Sequence, residues 1–117
     1  MNKTNKDKMI KAIFFDIDGT LVSFKTHHIP PSTIDAIRKT KGIKIYISTG
    51  RPFSLINNLA EIEELIDGYI TANGAYCFSG EEIISCTPIP IKDVQTMIQF
   101  SDEMKFPCMI VGEQIPG

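Results

Sequence analysis

The apolar positions of the chain change period several times, and each change marks an element. Ile10, Ala12, Ile13, Phe14 and Phe15 form a short run that ends on Asp16, with the length and composition of a buried strand. Gly19 and Thr20 break the run with turn chemistry. A breaker-rich loop with His27, His28, Pro30 and Pro31 follows. Ser32 can then cap a helix, with Asp35 three residues on, while Ile34 and Ile37 would face the core and Gly42 suits the C′ position. From Ile43 to Ser48 the residues Ile43, Ile45 and Ile47 alternate around Tyr46, which predicts a second strand.

Thr49-Gly50-Arg51-Pro52 is the next break, and Pro52 suits the first turn of a helix. Leu55, Leu59, Ile62 and Ile66 recur at helical spacing until Gly68. A third strand, Tyr69 to Ala72, runs into Asn73-Gly74, a dipeptide common in tight hairpins. Two short strands flank Ser79-Gly80-Glu81-Glu82, a hairpin turn, and Pro88 and Pro90 mark a boundary. Beyond it Val94, Met97, Ile98, Ser101 and Met104 trace one helix stripe, and Pro107 precedes a last strand, Cys108 to Val111. Phe14, Phe15, Phe53 and Phe78 are core candidates. The opening β-α-β-α-β order predicts an α/β fold with a doubly wound parallel sheet and right-handed crossovers.

Composition narrows the function classes. The 117 residues suffice for one small domain with a core, and a net charge of −2 gives no electrostatic case for nucleic acid or a membrane surface. The polar start, residues 1–9, reads as a frayed tail with no apolar h-region after it, and no stretch is long enough to span a bilayer, so the expected location is cytoplasmic. Cys77, Cys86 and Cys108 are odd in number and lack C-x-x-C spacing, which favours reduced thiols over a disulfide framework or a zinc site. His27 and His28 read as surface residues, and Glu61, Glu63 and Glu64 as the wet face of a helix.

The chemistry concentrates at the end of the first strand. Asp16 and Asp18 are spaced i, i+2, so their side chains leave the strand on the same side, at the carboxyl edge where open α/β sheets bind ligands. Two converging carboxylates suit a hard divalent cation such as magnesium, which takes few protein ligands. A carboxylate near such a cation can attack phosphorus, and a second acid can move the protons. Thr20 and Thr49 offer hydroxyls, and Gly19 and Gly50 offer bare amides, for phosphate oxygens.

Three motifs carry a resemblance. Asp16-Ile-Asp-Gly-Thr-Leu21 resembles the first motif of the haloacid dehalogenase-like phosphohydrolases, and Thr49-Gly50-Arg51-Pro52 is similar to the second motif of their Cof-type subgroup. Ile70-Thr-Ala-Asn-Gly-Ala75 matches the segment after that subgroup's third strand, and Leu21-Val-Ser-Phe24 adds a likeness to its sugar-phosphate phosphatases. The resemblance implies Asp16 as nucleophile and Mg2+ ligand, and Asp18 as general acid/base and a ligand through its backbone carbonyl. It also implies Thr49, the Gly50 amide and the Ile17 backbone as phosphate binders, with Arg51 and Asn73 on the substrate side. The implied substrate is a small phosphorylated metabolite. The family's lysine and its Gly-Asp-x-x-x-Asp loop do not occur before Gly117. The chain therefore reads as the N-terminal part of a longer phosphatase: residues 10–87 from its core, and 88–117 from the start of an α/β cap whose helix would bury Met97 and Met104. Alone, it is expected to turn over poorly or not at all. A second class stays open, a non-catalytic phosphate-binding or interaction module that keeps two of the motifs.

Overall fold

The computed structural model describes residues 9–112. The tail expected at the N-terminus falls, up to residue 8, outside the described residues. Strand β1 (Ala12–Phe15) is followed by helix α1 (Pro31–Arg38), strand β2 (Lys44–Ser48) and strand β3 (Gly68–Thr71). Strands β4 (Tyr76–Ser79) and β5 (Glu82–Cys86) and helix α2 (Ile91–Met104) complete the order. The five strands form one sheet in sequence order, parallel from β1 to β3 and antiparallel from β3 to β5. The α/β core with parallel crossovers expected from the sequence is present.

Register decides which residues reach each face. Ile13 pairs with Ile45 and Phe15 with Ile47, whereas Phe14 pairs with Tyr46. The period of two therefore sends the isoleucines to one face and the two rings to the other. On the first face Ile17, Leu21, Val22, Ile29, Ile37, Ile47, Leu59 and Ile62 form the buried core, with Phe15, Ile34 and Tyr69 packed against it. Each fully buried side chain of this size contributes on the order of 1.5–3 kcal/mol. On the opposite face Phe14 stacks on Tyr46 with ring centroids 4.9 Å apart, and it stays 57% exposed. Phe14 is thus not a core residue among those described. Phe53 is not buried either, but packs edge-on against Tyr69 and Phe78.

Three elements differ from their sequence reading. Helix α1 starts at Pro31 behind a Pro30 cap that makes no side-chain hydrogen bond, so Ser32 is not the cap. The fixed φ of proline pre-sets the first turn without one. The predicted helix from Pro52 to Gly68 is not formed. Its place holds two 3-10 turns, Phe53–Leu55 and Glu63–Leu65, around an irregular middle. Asn57 and Asn58 sit in that middle, and asparagine favours turns over helix interiors. The Asn58 amide donates instead to the His27 carbonyl at 3.2 Å. The apolar spacing still delivers Leu59 and Ile62 to the core. Finally, Cys108 to Val111 forms no strand.

Helix α2 matches its predicted stripe, and Lys105 closes it in a left-handed conformation. Its apolar face lies uncovered among the described residues, with Met97 49% and Met104 61% exposed, so the two methionines form no core there. Cys77, Cys86 and Cys108 are all free thiols. No helix of the described residues is long and apolar enough to cross a membrane.

Candidate active site

Strand β1 delivers Asp16 at its carboxyl end, and a tight loop follows at once. The loop is closed by Gly19 N–H donating to the Val22 carbonyl at 2.8 Å and Val22 N–H to the Ile17 carbonyl at 3.0 Å. Gly19 takes φ +82°, a left-handed backbone that a side chain would strain, so glycine suits this turn. Ile17, Leu21 and Val22 are buried beneath the loop and fix it to the core. The Ile17 N–H donates to Asp16 Oδ1 at 2.8 Å. In this arrangement that amide orients the Asp16 carboxylate and is not free for a phosphate.

Strand β2 ends beside it. Thr49 is buried, its N–H donates to the Ile70 carbonyl at 2.9 Å, and its Oγ1 accepts the Arg51 N–H at 3.0 Å. Gly50 follows, exposed, and no acceptor among the described residues takes its N–H. Strand β3 ends in a turn with three successive positive φ values: Ala72 at 50°, Asn73 at 55° and Gly74 at 95°. Asparagine and glycine tolerate this region, but alanine there costs on the order of 1–3 kcal/mol. Two backbone bonds zip this turn to the β2 loop, Ala72 N–H to the Arg51 carbonyl at 2.9 Å and Asn73 N–H to the Thr49 carbonyl at 3.2 Å.

These three strand ends enclose a cleft of about 610 Å³ lined by Phe14, Asp16, Ser48, Thr49, Gly50, Ile70, Asn73 and Gly74. Asp16, Thr49, Gly50 and Asn73, all singled out from the sequence, thus share one site. Ser48 was missed, although the period of two could have found it. Phe14 on β1 and Asp16 just beyond its end lie two residues apart and so share a side, as do Tyr46 and Ser48 on β2, and register pairs Phe14 with Tyr46. The Asn73-Gly74 dipeptide serves both readings, closing the β3–β4 reversal and lining the cleft.

Asp18 is not part of the cleft lining. Its carboxylate accepts from Arg51 Nε at 2.9 Å and from Nη2 at 2.5 Å, and Arg51 Nη1 donates to the Leu55 carbonyl at 3.1 Å. This two-point fork holds the Asp18 carboxyl below its ordinary pKa, against a smaller upward push from desolvation, with His27 adding a weak charge effect. The same bond raises the Arg51 pKa. Arg51 in this structure engages the second acid.

The donor set fits magnesium in part. Asp16 brings a carboxylate to the cleft, and no backbone N–H among the described residues is directed to the Asp18 carbonyl. Two hard oxygen donors suit an ion that keeps water or phosphate in its remaining positions. The described residues hold no cluster of three or more acidic, histidine or cysteine ligands.

Residues 13–115 match the family model for haloacid dehalogenase-like hydrolases. The fold is similar to that of a solved sugar phosphatase of haloacid dehalogenase subclass IIB, BT4131, at 58% identity and TM-score 0.73 over 80% of this chain and 38% of that one. A second solved phosphatase, BT1666 from Bacteroides thetaiotaomicron, is 41% identical with TM-score 0.67 over 84% of this chain and 37% of its own. Among curated relatives, the 5-amino-6-(5-phospho-D-ribitylamino)uracil phosphatase YcsE of Bacillus subtilis is 39% identical over 64% of this chain and 30% of its length. The chain thus spans well under half of each relative it matches here. With the family motifs on the ends of β1 and β2 and the match running almost from end to end, the chain belongs to the haloacid dehalogenase-like hydrolases.

Proposed function

We propose that the full-length protein is a magnesium-dependent phosphatase of small phosphorylated metabolites, with sugar phosphates as the substrate class. The observation that carries this reading is the convergence of Asp16, Thr49 and Gly50 on one cleft at the carboxyl edge of the sheet. The sugar-phosphatase relative and the two other phosphatases support the substrate class. Residues 10–87 would then belong to the catalytic core and 88–117 to the start of a cap. The three free thiols favour a reducing compartment such as the cytoplasm.

The chemistry follows from the residues. The Thr49 hydroxyl and the Gly50 N–H donate to phosphoryl oxygens, and Asp16 Oδ attacks phosphorus. The P–O bond to the substrate breaks, and the leaving oxygen takes a proton from Asp18. Water then attacks the aspartyl-phosphate, Asp18 takes the water's proton, and inorganic phosphate leaves. Asp16 and the Asp18 carbonyl would hold Mg2+, which neutralises charge on the phosphoryl oxygens. The ionised Asp18 held by Arg51 is the form that accepts a proton. Donation in the first step requires it to leave the fork and be protonated.

The test is magnesium-dependent release of p-nitrophenol from p-nitrophenyl phosphate by the full-length protein, abolished in Asp16→Asn. Unchanged turnover in that variant removes Asp16 as nucleophile. Phosphate binding without any turnover would instead support the non-catalytic module.

A further inference from the structure

We infer that a second cleft, between the β2–β3 crossover and strand β3, binds a small organic cation: an ammonium group carried on an apolar body. This site is separate from the cleft that holds Asp16, with which it shares no lining residue.

The first observation is a cavity with fixed walls. Where periodicity predicts a helix, the chain makes two 3-10 turns around an irregular middle, and a cleft of about 360 Å³ lies between this path and β3. Small-molecule sites run from ~300 to 1,000 Å³ and are mostly apolar. The walls here come largely from Phe53, Ile56 and Leu59 on the crossover and Tyr69 on the strand. Leu59 is buried in the core, and Tyr69 stacks on Phe78 with ring centroids 5.2 Å apart. Phe53 meets both of those rings edge-on at 5.1 Å. Packing therefore holds these side chains before any ligand arrives.

The second observation is the sign of the charge. Among the described residues the lining carries one charged group, the Glu63 carboxylate, and no lysine, arginine or histidine. Glu63 makes no ion pair among the described residues, whereas Asp18 is held by Arg51. Its sequence neighbours Glu61 and Glu64 do not line the cleft. Tyr69 senses this carboxylate. Burial raises the phenol pKa, and the Glu63 charge raises it further. The one acid of the cleft thus lies within electrostatic reach of its one hydroxylated ring.

These groups define the ligand. An anion would be repelled by Glu63, and a neutral apolar molecule would desolvate that carboxylate without pairing it. A cation pairs it and also suits aromatic walls. The apolar lining calls for a carbon body behind the charge, and the neutral Tyr69 hydroxyl can accept an N–H. An ammonium on a ring or a short hydrocarbon meets all three conditions.

The experiment titrates the full-length protein with phenethylammonium chloride and with 2-phenylethanol, which has the same skeleton and no charge. Binding is read by NMR from the Tyr69 and Phe53 ring resonances. The expected result is a saturable shift of both rings, with a dissociation constant at least about fivefold lower for the ammonium than for the alcohol. Glu63→Gln keeps the side-chain size at an exposed position and should erase that preference. Asp16→Asn, which neutralises the acid of the other cleft, should leave it in place. Absence of a saturable shift at these rings, equal affinity for the two probes, or a preference that persists in Glu63→Gln or vanishes in Asp16→Asn overturns the assignment. None of these outcomes bears on the phosphatase reading.

Discussion

Arg51 grips Asp18 with two nitrogens, Nε at 2.9 Å and Nη2 at 2.5 Å, across 33 positions of sequence. The pair joins the first two family motifs outside the cleft, so the loops after β1 and β2 are bound to each other as well as to the core.

Replacing the guanidinium should free the carboxyl. In Arg51→Gln, Asp18 is expected to titrate at higher pH than in the wild type, read from its carboxyl carbon by NMR. Since the folded state holds this pKa below its ordinary value, the stabilisation is present above the unfolded pKa and is lost as pH falls through the folded one. Its size should stay below about 1 kcal/mol, because the two side chains keep 24% and 37% of their surface in water. An unchanged Asp18 midpoint in the variant would show that the fork does not govern its ionisation.

Ile62 tests the part of the fold that the sequence described only half correctly. It is 0% exposed in the core cluster, yet it belongs to no helix. Ile62→Ala should cost about 2–5 kcal/mol of unfolding free energy in denaturant titrations of the full-length protein. A cost below about 1 kcal/mol would mean that this crossover is not anchored by its apolar residues.

The contrast between these sites explains what was legible. Strand β2 and its core positions follow from period-two alternation, and β1 from the apolar run that ends on Asp16, both of which short-range sequence carries directly. Of the predicted stripe, Leu59 and Ile62 reach the core while Leu55 stays 44% exposed, and the helix drawn through them failed at Asn57 and Asn58. There, local turn preference and the bond to His27 outweigh periodicity. The approach of Asp16, Thr49 and Gly50 was readable from motif order. The engagement of Asp18 by Arg51 was not, because no local pattern encodes which of several partners an arginine will choose. Phe14 was misplaced because a single strand does not reveal which of its faces is covered.

Gly68 marks a close approach that no pattern announces. A Cβ there would lie 2.9 Å from the Phe78 carbonyl oxygen and 2.9 Å from the Tyr46 ring. Gly68→Ala must push apart β3, its antiparallel neighbour and the ring on β2, at an expected cost of about 1–3 kcal/mol. Thermal unfolding of the full-length protein measures it, and an unchanged melting temperature would show that the sheet yields freely at this point.

Thr49 separates structure from chemistry in one side chain. Its Oγ1 accepts the Arg51 N–H at 3.0 Å, while its hydroxyl proton remains to donate toward a phosphoryl oxygen in the cleft. Thr49→Val keeps the shape but leaves the Arg51 amide without that acceptor, which should cost about 1–3 kcal/mol of stability and most of the turnover. Thr49→Ser restores both the acceptor and the proton, so it should return stability to within about 1 kcal/mol of the wild type and recover most of kcat. Assaying both variants beside a melting curve distinguishes the roles. If serine rescues the fold but not the rate, the methyl group matters and the hydroxyl is no phosphate donor. If valine keeps full activity at a temperature where it is folded, the proposed contact of Thr49 with phosphate is wrong.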